Sequence, residues 1–377
     1  MQSELLELAA ELVAYQSISP EQDGSIDFIE NYLTELNFST IRLDQNDTAN
    51  LIAQIGNTGP VFAFAGHVDV VPIGELSKWF FDPFTLTFKD GSLYGRGIAD
   101  MKGAIASFLI ASKKFLQEKP NFPGSIMFLI TSDEEASGID GTPVIVKYLQ
   151  EQKIKIDYCL LGEPTSVNNL GDMVKIGRRG SLNARIEING VQGHIAYPRL
   201  LQNPIHLFAP ALLQLSTLEF DRGNEHFPAT ELQFSNLNAG LGVTNVVPGK
   251  LTATFNIRYN NMQTVEALQK KVIAILEQNN LKYNISWSNS AVPFFTGKKF
   301  LVKTVEESIQ EVLNKSAVLA TDGGTSDGRF LVDVCDELVE FGLTNKYIHH
   351  INENIPSGDL LSLSETYFTI LSKIFRQ

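Results

Sequence analysis

The sequence predicts an α/β fold around a central, mostly parallel sheet, with a second, α+β domain inserted into the chain. Three observations predict it. Helical and strand patterns alternate over roughly the first 165 residues. The strands there are short, continuous apolar runs, as in a sheet covered on both faces. From Gly180 the pattern changes to strands in which apolar and polar residues alternate. The length of 377 residues agrees, because a single hydrophobic core usually stops growing before that size.

Taken in order, Leu5, Leu8, Ala9, Leu12 and Val13 recur at helical spacing, and so do Ile26, Ile29, Tyr32, Leu33 and Leu36. "NLIAQIG" and "VFAFAG" read as strands, and "LTFKDGSLYG" as a hairpin turning at Asp90 and Gly91. The helix "MKGAIASFLIASKKFLQ" leads into the strand "SIMFLIT", and the helix "TPVIVKYLQEQ" into the strand "YCLLG". In the insert, "SLNARIEING" is a half-exposed strand and "NPIHLFAPALLQLSTL" a helix. "ELQFSNLNAG" and "LTATFNIRYN" are two strands, "TVEALQKKVIAILEQNN" an amphipathic helix, and "KYNISWS" the last strand. This β-α-β-β-α-β order is that of a ferredoxin-like unit. Near Val292 the helix–strand–helix rhythm returns. One domain is therefore expected from residues 1–179 and 292–377, and a smaller one from 180–291.

With 44% hydrophobic and 19% charged residues, the chain has the composition of a globular protein. Its formal charge of −13 repels nucleic acid and anionic membrane surfaces, which excludes both as partners. Cys159 and Cys335 sit in apolar settings and read as buried free thiols of a reducing compartment. The first helix carries Glu4, Glu7 and Glu11 and no basic leader, and no apolar run is long enough to span a bilayer. The expected compartment is the cytoplasm.

In open α/β sheets, ligands bind beyond the carboxyl ends of the strands. His67 ends "VFAFAG"; Asp133, Glu134 and Glu135 follow "IMFLIT"; Glu163 follows "YCLLG"; His349 and His350 lie beyond "ELVEFG". Asp100 sits in "GRGIADMKG", a glycine-bearing loop that opens onto a helix. Any one of these is ordinary, since polar strand ends are usually solvated turns and an Asp before a helix is usually a cap. Together they gather imidazole and carboxylate at one rim of one sheet. Such donors without thiolate suit zinc, cobalt or manganese, and their number fits two ions sharing Asp100. Asp69, two residues past His67, is placed to accept that ligand's remaining N–H and fix its tautomer.

The segments "GHVDVVP", "YGRGIADMKG", "TSDEE", "GEPT" and "IHHINE" resemble those of the dizinc aminoacylase/carboxypeptidase superfamily of amidohydrolases, over the whole chain. The resemblance implies a catalytic dizinc domain and a ferredoxin-like lid/dimerisation domain. It implies two Zn²⁺ per subunit, with Co²⁺ able to substitute. His67, Asp100 and Glu163 would hold the first ion; Asp100, Glu135 and His349 the second. It further implies Glu134 as general base, a cis peptide between Asp100 and Met101, and a homodimer through the lid. In that dimer His194, from "GVQGHIAYP", would stabilise an oxyanion in the partner's site. Close relatives carry one histidine where this chain has His349 and His350, and register against "INE" favours His349. "EFGLTN" also departs from the family, in which a proline tends to follow the glycine.

A substrate bearing carboxylates needs local cations in so acidic a chain. Arg178, Arg258 and Arg329 are the candidates, since a guanidinium pairs with carboxylate bidentately. By resemblance Tyr197, Asn245, Gly324 and Thr325 join them. The same metals and base would serve an acetylornithine deacetylase or a dipeptidase of the superfamily, and only the substrate pocket separates them. A non-catalytic binding protein is disfavoured, because all five ligands and Glu134 are present.

Overall fold

The computed structural model describes residues 2–19 and 23–376. The chain forms two compact units. The larger comprises Met1–Gly177, Thr296–Ala320 and Ser326–Gln377, and the smaller Arg178–Phe295 and Thr321–Thr325. The sequence leaves residues 321–325 with the larger domain, whereas in the structure they cluster with the smaller. Within that unit Thr321 Oγ1 donates to His226 O at 2.6 Å and Arg178 Nη1 to Asp322 O at 3.1 Å. Contacts between segments so far apart leave no local trace in sequence.

The larger unit is built on an eight-stranded mixed sheet. Its spatial order is Ser39–Arg42, Asn50–Ile55, Ser125–Thr131, Val61–His67, Ile156–Leu161, Cys335–Glu340, Met173–Lys175, Val318–Ala320. The four middle strands, Ser125–Thr131 to Cys335–Glu340, run parallel to one another. Every residue of Ser125–Thr131 is buried, as expected of a strand covered on both faces. Asp90 and Gly91 both take positive φ, 48° and 82°, and turn Thr87–Lys89 into Ser92–Tyr94 as a tight hairpin. The core centres on Phe64, whose ring stacks on Phe108 at 4.3 Å, with Tyr367 at 5.7 Å from Phe64 and 5.6 Å from Phe108. Phe64 lies three residues before His67, and Phe108 is on the helix Gly103–Glu118 that follows Asp100. Packing thus fixes the two elements that carry the first candidate ligands. Truncating such a buried ring typically costs about 3–5 kcal/mol.

The smaller unit has the antiparallel order Glu231–Ala239, Lys250–Tyr259, Gly180–Asn189, Tyr283–Ala291, the ferredoxin-like arrangement its sequence predicts. Burial alternates along Lys250–Tyr259 with the period of two of a strand that faces a core on one side. Leu182, Ile186, Phe255 and Ile257 face a core closed by the helices Pro204–Ser216 and Val265–Gln278. Asn203 and Thr264 cap these helices, accepting from Ile205 N and Ala267 N. Cys159 is buried, as expected, but Cys335 is only half-buried; both are free thiols.

Candidate metal centre

Sheet order creates the site. Val61–His67 lies between Ser125–Thr131 and Ile156–Leu161, parallel to both, so three strands end side by side. His67 is the last residue of its strand, Glu134 and Glu135 follow Thr131, and Glu163 follows Leu161. Adjacent residues on a strand face opposite ways, so Glu134 and Glu135 share the site only because their strand stops at Thr131. Asp100 enters from Ile98–Lys102, and its bond to Met101 is cis, as the resemblance implies.

His67 Nε2 lies 3.4 Å from Asp100 Oδ1 and 3.9 Å from Glu163 Oε1. His349 Nε2 lies 3.2 Å from Asp100 Oδ2 and 2.9 Å from Glu135 Oε1. Asp100 therefore offers one oxygen to each imidazole. Ligand atoms of His67, Asp100 and Glu135 also fall within 4.8 Å of one another, as do those of His67, Glu134 and Glu163. Distance alone would thus admit Glu134 as a ligand. We divide the site by histidine instead, because the two Asp100 oxygens face different rings. His350 is not brought in; its ring lies 6.2 Å from that of Tyr347.

Asp69 does more than the sequence suggests. The nearest partner of His67 Nδ1 is the Asp69 main-chain oxygen at 2.9 Å, with the carboxylate Oδ1 at 3.5 Å. A carbonyl only accepts, so Nδ1 carries a proton and Nε2 is the nitrogen turned toward Asp100 and Glu163. Beside its contact with His67, the Asp69 carboxylate accepts from Glu134 N at 3.1 Å and Glu135 N at 2.9 Å, fixing the turn that bears both glutamates. A side chain two residues away has the main chain as an equally near competitor, and sequence cannot separate the two.

The charges are badly balanced. Burial pushes the Glu134 carboxyl up to about 8, helped by the nearby Asp327, Glu135 and Asp100 and opposed by His67. Burial, with Glu134 and Asp100, holds Glu163 well above the carboxylate range. Burial alone would raise Asp100, but the His349 and His67 rings beside it hold it below that range. Hydrogen bonds to Asp100 and Glu135 lift His349 to about 10. The buried oxygens Asp100 Oδ1 and Glu163 Oε1 have no hydrogen-bond partner. Unpaired oxygens, two imidazoles and a surplus of carboxylates without thiolate fit divalent cations.

A proton count follows. Without metal at pH 7, His349 is protonated, since its pKa lies near 10. Against the effect of burial, the Asp100 and Asp69 carboxylates also raise His67, and burial raises Glu163. An ion must displace the His349 proton, so binding should release it and tighten as pH rises toward about 10. Calorimetric titration of Zn²⁺ into metal-free protein, in buffers of different ionisation enthalpy, measures the release. Binding without proton release at pH 7 would contradict a protonated His349.

The remaining sequence candidates are distributed as follows. His194 and Tyr197 are exposed in the smaller unit, rings 5.6 Å apart. His194 Nδ1 accepts from Ala196 N at 3.1 Å, which leaves Nε2–H as a donor. Asn245, also exposed, accepts at its main-chain oxygen from Ile195 N. Arg178 is buried beside the 321–325 segment, in which Gly324 is exposed and Thr325 half-buried. Arg258 lies on Lys250–Tyr259 opposite Ser181 and Glu231. In the larger unit Arg329 stacks over Phe330 at 4.5 Å and reaches Asp327 Oδ1 at 3.9 Å.

The model of peptidase family M20/M25/M40 matches residues 63–373. The chain belongs to this family. Among relatives, a succinyl-diaminopimelate desuccinylase of Methylobacillus flagellatus is 46% identical, over 99% of this chain and 100% of its own. One of Nitrosospira multiformis is also 46% identical, over 100% of both chains. A metallo-carboxypeptidase of the M20 family from Sulfolobus solfataricus shares the fold. Its TM-score is 0.82 at 18% identity, covering 98% of this chain and 99% of that one. Two residues of this M20 member escape the sequence reading, Arg96 and Glu353. Both stand inside quoted motifs, "YGRGIADMKG" and "IHHINE", but their partnership spans 257 positions.

Proposed function

We propose that the chain is a metal-dependent amidohydrolase that cleaves N-succinyl-LL-2,6-diaminopimelate to succinate and LL-2,6-diaminopimelate. The observation that carries the chemistry is the Asp100 carboxylate, with one oxygen toward His67 and the other toward His349. Full-length relatives named succinyl-diaminopimelate desuccinylase support the substrate. In this reading His67, Asp100 and Glu163 hold one zinc ion and Asp100, Glu135 and His349 a second, with cobalt able to replace zinc. Two such ions, when bound, acidify a water toward neutral pH and polarise the scissile carbonyl.

Glu134 takes the proton of the attacking water on its carboxylate and delivers it to the leaving amine nitrogen. Asp69 holds Glu134 and Glu135 by their amides while its carbonyl sets the His67 tautomer. Arg178, Arg258 and Arg329 pair with the substrate carboxylates, assisted by Tyr197, Asn245, Gly324 and Thr325. The protein acts as a homodimer through its smaller unit, where His194 donates Nε2–H to the oxyanion in the partner's site. The exposed edge strand Glu231–Ala239 and the exposed Leu213, Leu237 and Leu241 support that interface. The cytoplasm is the proposed compartment; among the described residues no helix is long and apolar enough to cross a membrane.

Comparative hydrolysis tests the substrate. N-succinyl-LL-diaminopimelate should exceed N-acetylornithine by at least about 100-fold in kcat/KM, and the reverse order would sink the assignment. Chelation should abolish turnover, and two equivalents of Zn²⁺ should restore it. Full activity at one equivalent would break the two-ion reading.

A further inference from the structure

Glu353 and Arg96 are fully buried, at 0% and 1% exposure, and neither carries out a step described above. Glu353 Oε2 accepts from Arg96 Nη1 at 2.8 Å and from Gly97 N at 3.0 Å. Its Oε1 accepts from Ala99 N at 2.9 Å and Asp100 N at 3.2 Å. One carboxylate thus collects three main-chain amides of the loop that ends in Asp100. Arg96 in turn reaches the Pro72 carbonyl with Nη2 at 3.4 Å and lies 5.2 Å from the Trp79 ring centroid. Glu353 follows His349 by four residues, and Pro72 follows His67 by five. The pair therefore ties together the three segments that carry His67, Asp100 and His349.

We infer that Arg96 and Glu353 are a positioning pair that aims the Asp100 carboxylate between the two histidines. The inference rests on the two-ion reading. A buried ion pair is weak as a source of stability, because desolvation of both charges offsets their attraction. What an apolar pair of the same volume would not supply is direction. Three amides pointing at one carboxylate fix three peptide planes of the loop, and the plane before Asp100 sets the course of its Cα–Cβ bond. An error there moves both oxygens at once, so both ions lose affinity together.

The test uses the full chain, first stripped of metal and then titrated with Zn²⁺ and with Co²⁺. The wild type should take up two ions. Glu353→Gln places an amide N–H₂ against groups that are themselves donors, and Glu353→Asp keeps the charge but withdraws the acceptors. Each variant should retain the wild-type far-ultraviolet circular dichroism while binding both ions about 10–100-fold more weakly, the usual effect of losing a residue that orients a ligand. The visible absorption of the Co²⁺ form should shift, a readout that a purely structural role would leave alone. If wild type binds fewer than two ions, the two-ion reading fails and the positioning role with it. If wild type binds two and the folded variants match its affinities and Co²⁺ spectrum, only the positioning role is overturned. Should both variants fail to fold, the pair holds the fold rather than aiming Asp100, and the inference is likewise overturned.

Discussion

Glu134→Ala should lower kcat by about 10²–10⁴-fold while leaving both metal sites filled. It removes a proton carrier, whereas Glu135→Ala removes the oxygen that faces His349 Nε2 at 2.9 Å. The neighbouring substitution should therefore weaken one ion and leave a protein that excess Zn²⁺ partly rescues. Both variants keep the Asp69 carboxylate's hold on the turn, because that hold is on main-chain amides. The comparison thus isolates side-chain chemistry from backbone placement. Burial already holds the Glu134 carboxyl up to about 8, closer to the operating pH than an exposed glutamate, which is where a group that both takes and returns a proton works best. Metal content by atomic emission, measured beside kcat, checks the pair. Equal metal loss in both variants would show that Glu134 is a ligand and not the base, the alternative its distance to His67 and Glu163 leaves open.

His194→Ala should lower kcat by about 10²–10³-fold with metal content unchanged, the range found for removing one oxyanion donor. The Ala196 N–H occupies Nδ1, which leaves the ring's N–H at Nε2, and in the proposed mechanism that donor meets charge that develops only in the transition state. Whether it serves a second subunit is decided by complementation. In a heterodimer of Glu134→Ala with His194→Ala, the first chain has a dead site but lends an intact histidine. The second keeps Glu134 and receives that histidine, so one site is whole. Random pairing makes half the molecules heterodimers, and activity should recover to roughly a quarter of wild type. A mixture no more active than its parents, although heterodimers are shown to form, would rule out action across subunits.

By itself the sequence determined the local elements and the residues at their ends. Continuous apolar runs gave "VFAFAG" and "SIMFLIT" as strands buried on both faces, and alternation gave "SLNARIEING" as a half-exposed one. These patterns lie within a few residues of chain, because a strand's period and a helix's period are set by neighbouring backbone geometry. The polar residues that end the strands were legible for the same reason, and the motif resemblance singled out His67, Asp100, Glu135, Glu163 and His349 among them. Tertiary structure alone decided which strand ends are neighbours, since Val61–His67 pairs with strands more than sixty positions later. It decided that Asp100 turns one oxygen to each histidine, and that the Asp69 carboxylate also holds the amides of Glu134 and Glu135. It also joined Arg96 to Glu353, and His349 to Glu135 across 214 positions. Such contacts depend on sheet order and on the course of loops fixed by distant packing, and no local period records either.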